Sequence, residues 1–214
     1  MFIVIEGLDG AGTTTQTARL AAAIRDAGRT CHTTREPSDG PIGVMIRQVL
    51  RRRLVLPDGN PLGADALALL FAADRVDHIR AEVQPATARG DVVVSDRYVL
   101  SSIAYQGVDL DPAWVAAINA QAPPADLTLL LDVPAEACMR RIEARGGERD
   151  IFEHAAFLER VRQGYDRGRA ARGENVVVID GELSVDEVAA AIWAEVAPRL
   201  AATGGGTVEG AELR

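Results

Sequence analysis

A doubly wound, five-stranded parallel α/β sheet flanked by helices is the fold class this sequence predicts, and three observations predict it. Five short apolar segments, residues 2–5, 30–34, 92–95, 127–131 and 176–179, are β-branched or leucine-rich and lack polar alternation. Runs of that kind suit strands covered on both faces by helices. Helical stretches lie between them, so strand and helix alternate along the chain. The first run also leads straight into a glycine-rich turn and then a helix-forming stretch, the order in which α/β proteins bind phosphate.

That turn reads Gly7-Leu8-Asp9-Gly10-Ala11-Gly12-Thr13-Thr14-Thr15. Its spacing is that of a P-loop, G-x-x-x-x-G-K-[ST], with Thr13 where the lysine belongs and Thr14 at the hydroxyl position that would ligate Mg²⁺. Glycines let the main-chain N–H groups close around phosphate oxygens, and the helix N-terminus adds partial positive charge. A plainer alternative is a turn that only joins strand to helix. The first helix, residues 16–27, ends at Gly28.

After the second strand come Arg35, Glu36 and Pro37, at the carboxyl edge where open sheets bind ligands. Residues 66–73 are apolar on every face of a helix, which predicts burial on more than one side, as core alone or as core plus a subunit interface. Phe71 and Arg75 share one face of that helix. A ring and a guanidinium so placed could stack on a base and hydrogen-bond its edge; a core aromatic with a snorkelling arginine is the alternative.

The third strand ends in Ser95-Asp96-Arg97-Tyr98. In P-loop proteins a carboxylate at this point faces the Mg²⁺ side of the phosphates, and Arg97 could grip a second phosphate with two prongs. Alternatively Asp96 caps the next helix and Arg97 pairs with it. Asp111-Pro112 marks a helix start. Arg140, Arg141, Arg145 and Arg149 crowd a helix and the Gly146-Gly147 break after it. They could close over a triphosphate or form a solvated face paired with Glu136, Glu143 and Glu148. Ser184 to Glu187 form a capping box, and Val188, Ile192 and Val196 follow at helical spacing. Residues 203–214 are glycine-rich without periodicity and predict a disordered tail.

Length and composition bound the rest. The 214 residues suit a single domain, 1–202, with a substantial core. No stretch reads as a signal peptide or transmembrane span, so a cytoplasmic protein is expected. Cys31 and Cys138 lack metal or redox spacing and read as reduced core residues. A net charge of −8 argues against a general nucleic-acid binder. All 23 basic residues are arginine. Losing the P-loop lysine is therefore part of a whole-chain bias. A GTPase switch, which reads guanine with an Asn-Lys-x-Asp element, is ruled out.

Nearly the whole chain, from Phe2 to about Leu200, resembles the thymidylate kinase family. The matching stretches are Glu6 to Gly12 with Thr14-Thr15-Gln16; Thr34-Arg35-Glu36-Pro37 with Pro41-Ile42-Gly43; Leu70 to Arg75; and Asp96-Arg97-Tyr98 through Ser101 to Ala104-Tyr105-Gln106-Gly107. Later come Leu131 to Pro134 and Phe157 to Arg162. The Asp-Arg-Tyr to Tyr-Gln-Gly stretch is the most specific, since other nucleoside monophosphate kinases lack it. The resemblance implies a P-loop nucleoside monophosphate kinase fold with a short lid near 140–153. It also implies ATP-dependent phosphorylation of dTMP to dTDP with Mg²⁺, held by Thr14 and Asp96, and a homodimer. Gly7 to Thr15 would bind ATP. Asp9 would bind the sugar 3′-hydroxyl; Arg35, Arg75 and Arg97 the dTMP phosphate or base edge. Phe71 would stack on thymine, Ser101 and Ser102 would read its edge, and Tyr105 would crowd the 2′ position. Of the family's two arginine arrangements, one places an arginine after the P-loop Asp, where this chain has Gly10. The other, the bacterial type, supplies it from the lid and fits Arg145 and Arg149. Those two, with Arg97 and Asp96, are the expected catalytic residues. Two alternatives remain: a catalytically impaired nucleotide-binding homologue, and a kinase for another deoxynucleoside monophosphate.

Overall fold

The predicted strands form one parallel sheet in the computed structural model, which describes residues 1–146, 155–172 and 175–203. They are β1 (Phe2–Gly7), β2 (Cys31–Arg35), β3 (Val92–Asp96), β4 (Leu127–Asp132) and β5 (Val176–Asp180). Each runs past its apolar core to a polar or glycine residue at the carboxyl end. Apolar patterning could not register those last residues, yet they put Glu6, Arg35, Asp96, Asp132 and Asp180 along one edge. The strand order is β2-β3-β1-β4-β5. The chain leaves β1 toward β2 and later returns past it to β4, so the crevice beyond β1 is the switch point where open sheets take ligands.

Burial follows position in the sheet. β1 and β3 are buried along their whole length, as is β4 except for Asp132. The expectation of cover on both faces fails for the edge strands. In β2 only Cys31 is buried and the next four residues alternate half-buried and exposed, and Val178 of β5 is exposed. An edge strand has one neighbour, and the flanking helices do not reach around it.

The helices are α1 (Thr13–Asp26), α2 (Pro41–Leu50), α3 (Ala64–His78), α4 (Gln84–Ala88), α5 (Val99–Tyr105), α6 (Pro112–Ile118), α7 (Ala135–Arg145), α8 (Ala155–Arg172) and α9 (Val185–Thr203). A π-helical turn, Ile79–Val83, joins α3 to α4. The expected caps are present. Asp111 accepts from the Ala113 N–H at the start of α6. Ser184 and Glu187 exchange the two reciprocal bonds of a capping box at α9. Cys31 and Cys138 are buried free thiols.

α3 is where the two alternatives for residues 66–73 divide. Leu67, Ala68 and Ala72 are buried, but Leu69 is 51% exposed and Ala73 is exposed, so within one chain only part of the apolar helix is covered. Among the described residues no helix is long and apolar enough to cross a membrane. Residues 147–153 of the expected lid and the tail from 204 lie outside the described residues; Thr203 itself ends α9.

Candidate active site

The P-loop forms because β1 ends in Gly7 and the chain must turn at once into α1. Gly10 and Gly12 have φ of 85° and 98°, a region that side-chain-bearing residues resist. Ala11 N–H closes the turn on Leu8 O, and Gln16 N–H to Gly12 O begins the helix. Gly12 caps α1 without a side-chain bond, and no acidic residue lies in the first turn. The N–H groups of that turn therefore face an anion site unopposed. Gly10 has no room for a side chain: a Cβ there would lie 2.6 Å from the Cys138 carbonyl oxygen of α7. A side chain at that point would have to push the α7 main chain aside.

Thr14 donates its hydroxyl to Asp96 Oδ2 at 2.6 Å. Asp96 Oδ1 is buried with no hydrogen-bond partner among the described residues. A hydroxyl beside a carboxylate with one oxygen uncommitted is a hard, oxygen-only donor set of the kind Mg²⁺ takes, so these residues fit the metal. The plainer reading of the Asp-Arg pair is overturned. Asp96 does not cap α5, whose N-cap is Tyr98, and Arg97 turns away from it.

Arg97 is the hinge of the site. It is left-handed at φ 76° and sends its guanidinium back under the P-loop. Nη1 donates to Gly7 O at 2.8 Å, Ser101 Oγ at 3.1 Å and Tyr165 OH at 3.3 Å; Nη2 donates to Asp9 Oδ1 at 2.7 Å. Its cation sits 5.1 Å from the centre of the Tyr105 ring. Burial opposes its charge, but Tyr105, Asp9, Tyr165 and Asp96 outweigh that and raise its pKa. Tyr105 OH accepts from the Asp9 N–H at 2.8 Å, and burial pushes its own pKa far up, so it stays a neutral phenol.

Two cavities meet at Asp9 and Arg97. The first is walled by Phe71, Arg75, Tyr98, Ser101, Ser102, Tyr105 and Gln106, with Glu36, Pro37 and Leu50. Phe71 leans on the small cluster Ile46, Val49, Leu50 and Leu67. Arg75 does not snorkel: it is 1% exposed. Its Nε and Nη2 fork onto Glu36 Oε2 at 2.8 and 2.7 Å, Nη2 also reaches Tyr98 O and Ser102 Oγ, and Nη1 bonds Asn119 Oδ1. One Nη1 hydrogen is left without an acceptor among the described residues. Gln106 Oε1 is also buried and unpartnered among them. The second cavity holds the P-loop from Gly10 to Gln16, with Asp96 and Arg141, and an apolar slot of Ile142, Leu183, Val185 and Val188.

Some expected residues land elsewhere. Arg35 is exposed, and its Nη2 is held by Asp39 Oδ1 at 2.6 Å; it does not line the first cavity. The Ser101 hydroxyl is committed to Glu6 Oε2 at 2.5 Å, so it braces Arg97 rather than a ligand. The side chain of Arg145 and all of Arg149 lie outside the described residues. Arg141, not singled out from its neighbours, reaches Ala11 O at 3.3 Å and Gly181 O at 3.0 Å. Its basic helix face is therefore not purely a solvated one.

Sequence reasoning missed Glu6 and Tyr165. Glu6 is fully buried and accepts from Tyr98 N, Ser101 N, Ser101 Oγ and Tyr165 OH. Burial pushes its carboxyl up, against the pull of Ser101 and Arg97. A lone charge at the end of an apolar strand was the available signal. Tyr165 reaches the site from α8, and nothing local marks it.

A family model described as thymidylate kinase matches residues 5–192. A thymidylate kinase from Synechococcus sp. is 40% identical over 94% of this chain and 96% of its own length. One from Thermomicrobium roseum is 41% identical over 91% and 93%. A probable thymidylate kinase from Pyrococcus horikoshii is 41% identical over 77% and 80%.

Proposed function

The chain belongs to the thymidylate kinase family, and on that premise we propose how its own residues carry the ATP-dependent phosphorylation of dTMP to dTDP. The observation that carries the reading is the junction at Asp9 and Arg97. A phosphate cradle opens on one side of it and a cavity with an aromatic ring and a buried guanidinium on the other.

dTMP occupies the first cavity. Phe71 stacks on the base, and the spare Nη1 hydrogen of Arg75 meets a carbonyl on its edge while Gln106 Oε1 accepts the ring N–H. Thymine presents an acceptor where cytosine presents an amino donor, so the same guanidinium opposes dCMP. Tyr105 fills the space beside the sugar, and Asp9 and Ser102 line the rest. ATP lies in the second cavity. Its phosphates rest on the P-loop from Gly7 to Thr15 and the N-terminus of α1, and its base lies in the slot of Ile142, Leu183 and Val185 beside Arg141. Thr14 and Asp96 would hold Mg²⁺, which neutralises charge on the donor phosphates when bound.

A dTMP phosphate oxygen attacks the γ-phosphorus. A new P–O bond forms as the bond to the β,γ-bridging oxygen breaks, and ADP leaves with that electron pair. The protein aligns two anions and screens the charge that develops between them. Arg97 does this from below. With Thr13 in place of lysine and no room at Gly10, the remaining cation comes from the lid, from Arg145 at the end of α7 or Arg149 just beyond. Losing such a cation typically costs ~100- to 1,000-fold in rate. Thr13 also favours a second reading, a homologue that binds nucleotides without turning them over.

A coupled ADP-release assay with Mg·ATP separates the two. Turnover with dTMP, weaker with dUMP and weakest with dCMP, supports the kinase; dTMP binding without dTDP supports the second reading. The bare face of α3, with Leu69, Ala73 and Val76 beside Ile118, supports a homodimer, which light scattering checks. We propose a cytoplasmic reaction, in keeping with two diffusible nucleotide substrates and with no described helix long and apolar enough to cross a membrane.

A further inference from the structure

Behind the first cavity lies a buried polar cluster with no part in phosphoryl transfer. His78, the last residue of α3, is 1% exposed. Its Nε2 is 2.6 Å from Thr34 Oγ1, and its Nδ1 is 3.2 Å from Glu36 Oε1. Thr34 donates its hydroxyl proton to Glu82 Oε2 at 3.0 Å. A hydroxyl has one proton, so Thr34 can only accept from Nε2, which must carry a hydrogen. On the other side, Glu36 takes two guanidinium N–H groups from Arg75 on Oε2. An ionised carboxyl group donates nothing, so Nδ1 must carry a hydrogen as well. A ring with two N–H groups is an imidazolium.

The surroundings agree. Glu36 follows β2, Glu82 lies on the π-helical turn, Asp74 is one turn back on α3, and Asp39 lies beyond in the loop before α2. Arg75 is the opposing cation, and His32 of β2 stands on the far side of Glu82 at 3.4 Å. Burial by itself would drive the His78 proton off. The hydrogen bond and charge of Glu36, then Glu82 and Asp74, outweigh it and raise the pKa above the ordinary 6.5.

We propose that His78 is a positioning residue for base recognition: as an imidazolium it anchors Glu36, Glu36 anchors Arg75, and the grip on the thymine edge therefore follows the charge of a histidine that never touches the substrate. The inference rests on the reading of the first cavity as the dTMP site. Because the folded pKa is raised, the anchored state is complete below about 6.5 and is lost as pH rises through the folded pKa. One ring nitrogen then presents a lone pair to an acceptor. Glu36 turns away and the fork under Arg75 opens. Among the described residues the Arg97 network, which holds the transferring phosphate, shares no hydrogen bond with His78, so KM for dTMP moves and kcat does not.

The test combines ¹⁵N-histidine NMR of the whole protein with steady-state kinetics across pH for wild type and His78→Gln. At pH 6.5, where a free imidazole is half protonated, both His78 nitrogens should be largely protonated. In wild type, KM for dTMP should rise about tenfold as His78 deprotonates, the size of losing one bond to a charged group, with kcat unchanged. In His78→Gln it should be raised already and follow only the substrate phosphate, whose own titration near pH ~6 is common to both proteins. A His78 ring that is half neutral or more at pH 6.5 overturns the proposal, as does a KM that takes the same pH course in both proteins. If the variant does not fold, the NMR titration and dTMP binding by wild type across pH decide alone. Failure of dTMP to bind at every pH overturns the site reading itself, a different result from binding that ignores the state of His78.

Discussion

Replacing Arg75 with methionine keeps an unbranched stem as far as the Nε position and removes the charged guanidinium head. The structure sets the size of the effect. Arg75 and Glu36 are 2% and 3% exposed at the side chain, so solvent does not screen the pair. Removing one partner of a buried ion pair typically costs ~3–5 kcal/mol, because the other charge stays buried without compensation. Here His78 remains on Glu36 Oε1, which argues for the lower end, while Asn119 Oδ1 and Tyr98 O lose a donor, which adds about 1 kcal/mol or more. A loss of about 4 kcal/mol follows. For a chain of this size each kcal/mol moves Tm by roughly 2–4 °C, so Arg75→Met should melt about 8–16 °C below wild type. KM for dTMP should rise as well, because the base edge loses its donor and meets a loose carboxylate. Thermal melts and steady-state kinetics read both. Adding Glu36→Leu should recover part of the stability, since a buried pair exchanged for apolar groups is often neutral, but it should not restore KM. A melt within 2 °C of wild type, or an unchanged KM for dTMP, would refute the argument that Arg75 is both a structural anchor and a base reader.

Thr13→Lys should fold and lower KM for ATP, because it restores an ammonium at the head of α1; weaker ATP binding would mean the cradle is built around threonine. Arg145→Ala and Arg149→Ala should separate the lid cation: at least one should lower kcat by ~100-fold or more, and unchanged turnover in both would end the idea that the lid replaces the missing lysine. Arg141→Ala should raise KM for ATP, since its guanidinium ties the P-loop carbonyls to Gly181; an unaffected KM for ATP would make it a surface residue. Asp96→Asn should fold at least as stably as wild type, because its buried Oδ1 has no partner to lose, yet turnover should fall ~100- to 1,000-fold and need far more Mg²⁺. Near-normal activity at ordinary Mg²⁺ would remove Asp96 from the metal site.

Much of this molecule is local and was legible from the chain alone. Apolar runs declared the three central strands, because a strand buried on both faces carries few polar groups, while the half-open edge strands β2 and β5 followed from the alternation with helices. Glycines at 10 and 12 declared the phosphate loop, because only glycine sits easily at those backbone angles. Phe71 and Arg75 shared a face by helical period, and Asp96 and Arg97 followed a strand into the ligand edge by position. What no local pattern encodes is how a hydrogen-bonding side chain spends its donors. Ser101 faces Glu6, Tyr165 arrives from a helix far along the chain, and Arg141 rather than Arg140 meets the P-loop. Each of those outcomes turns on distances of about 3 Å between residues up to 159 positions apart. The sequence determined which groups are present and which lie on the same face; the approach of α3 to β2 and of α8 to β1 decided which buried polar groups meet. A buried polar group must find a partner, and that partner is chosen in three dimensions.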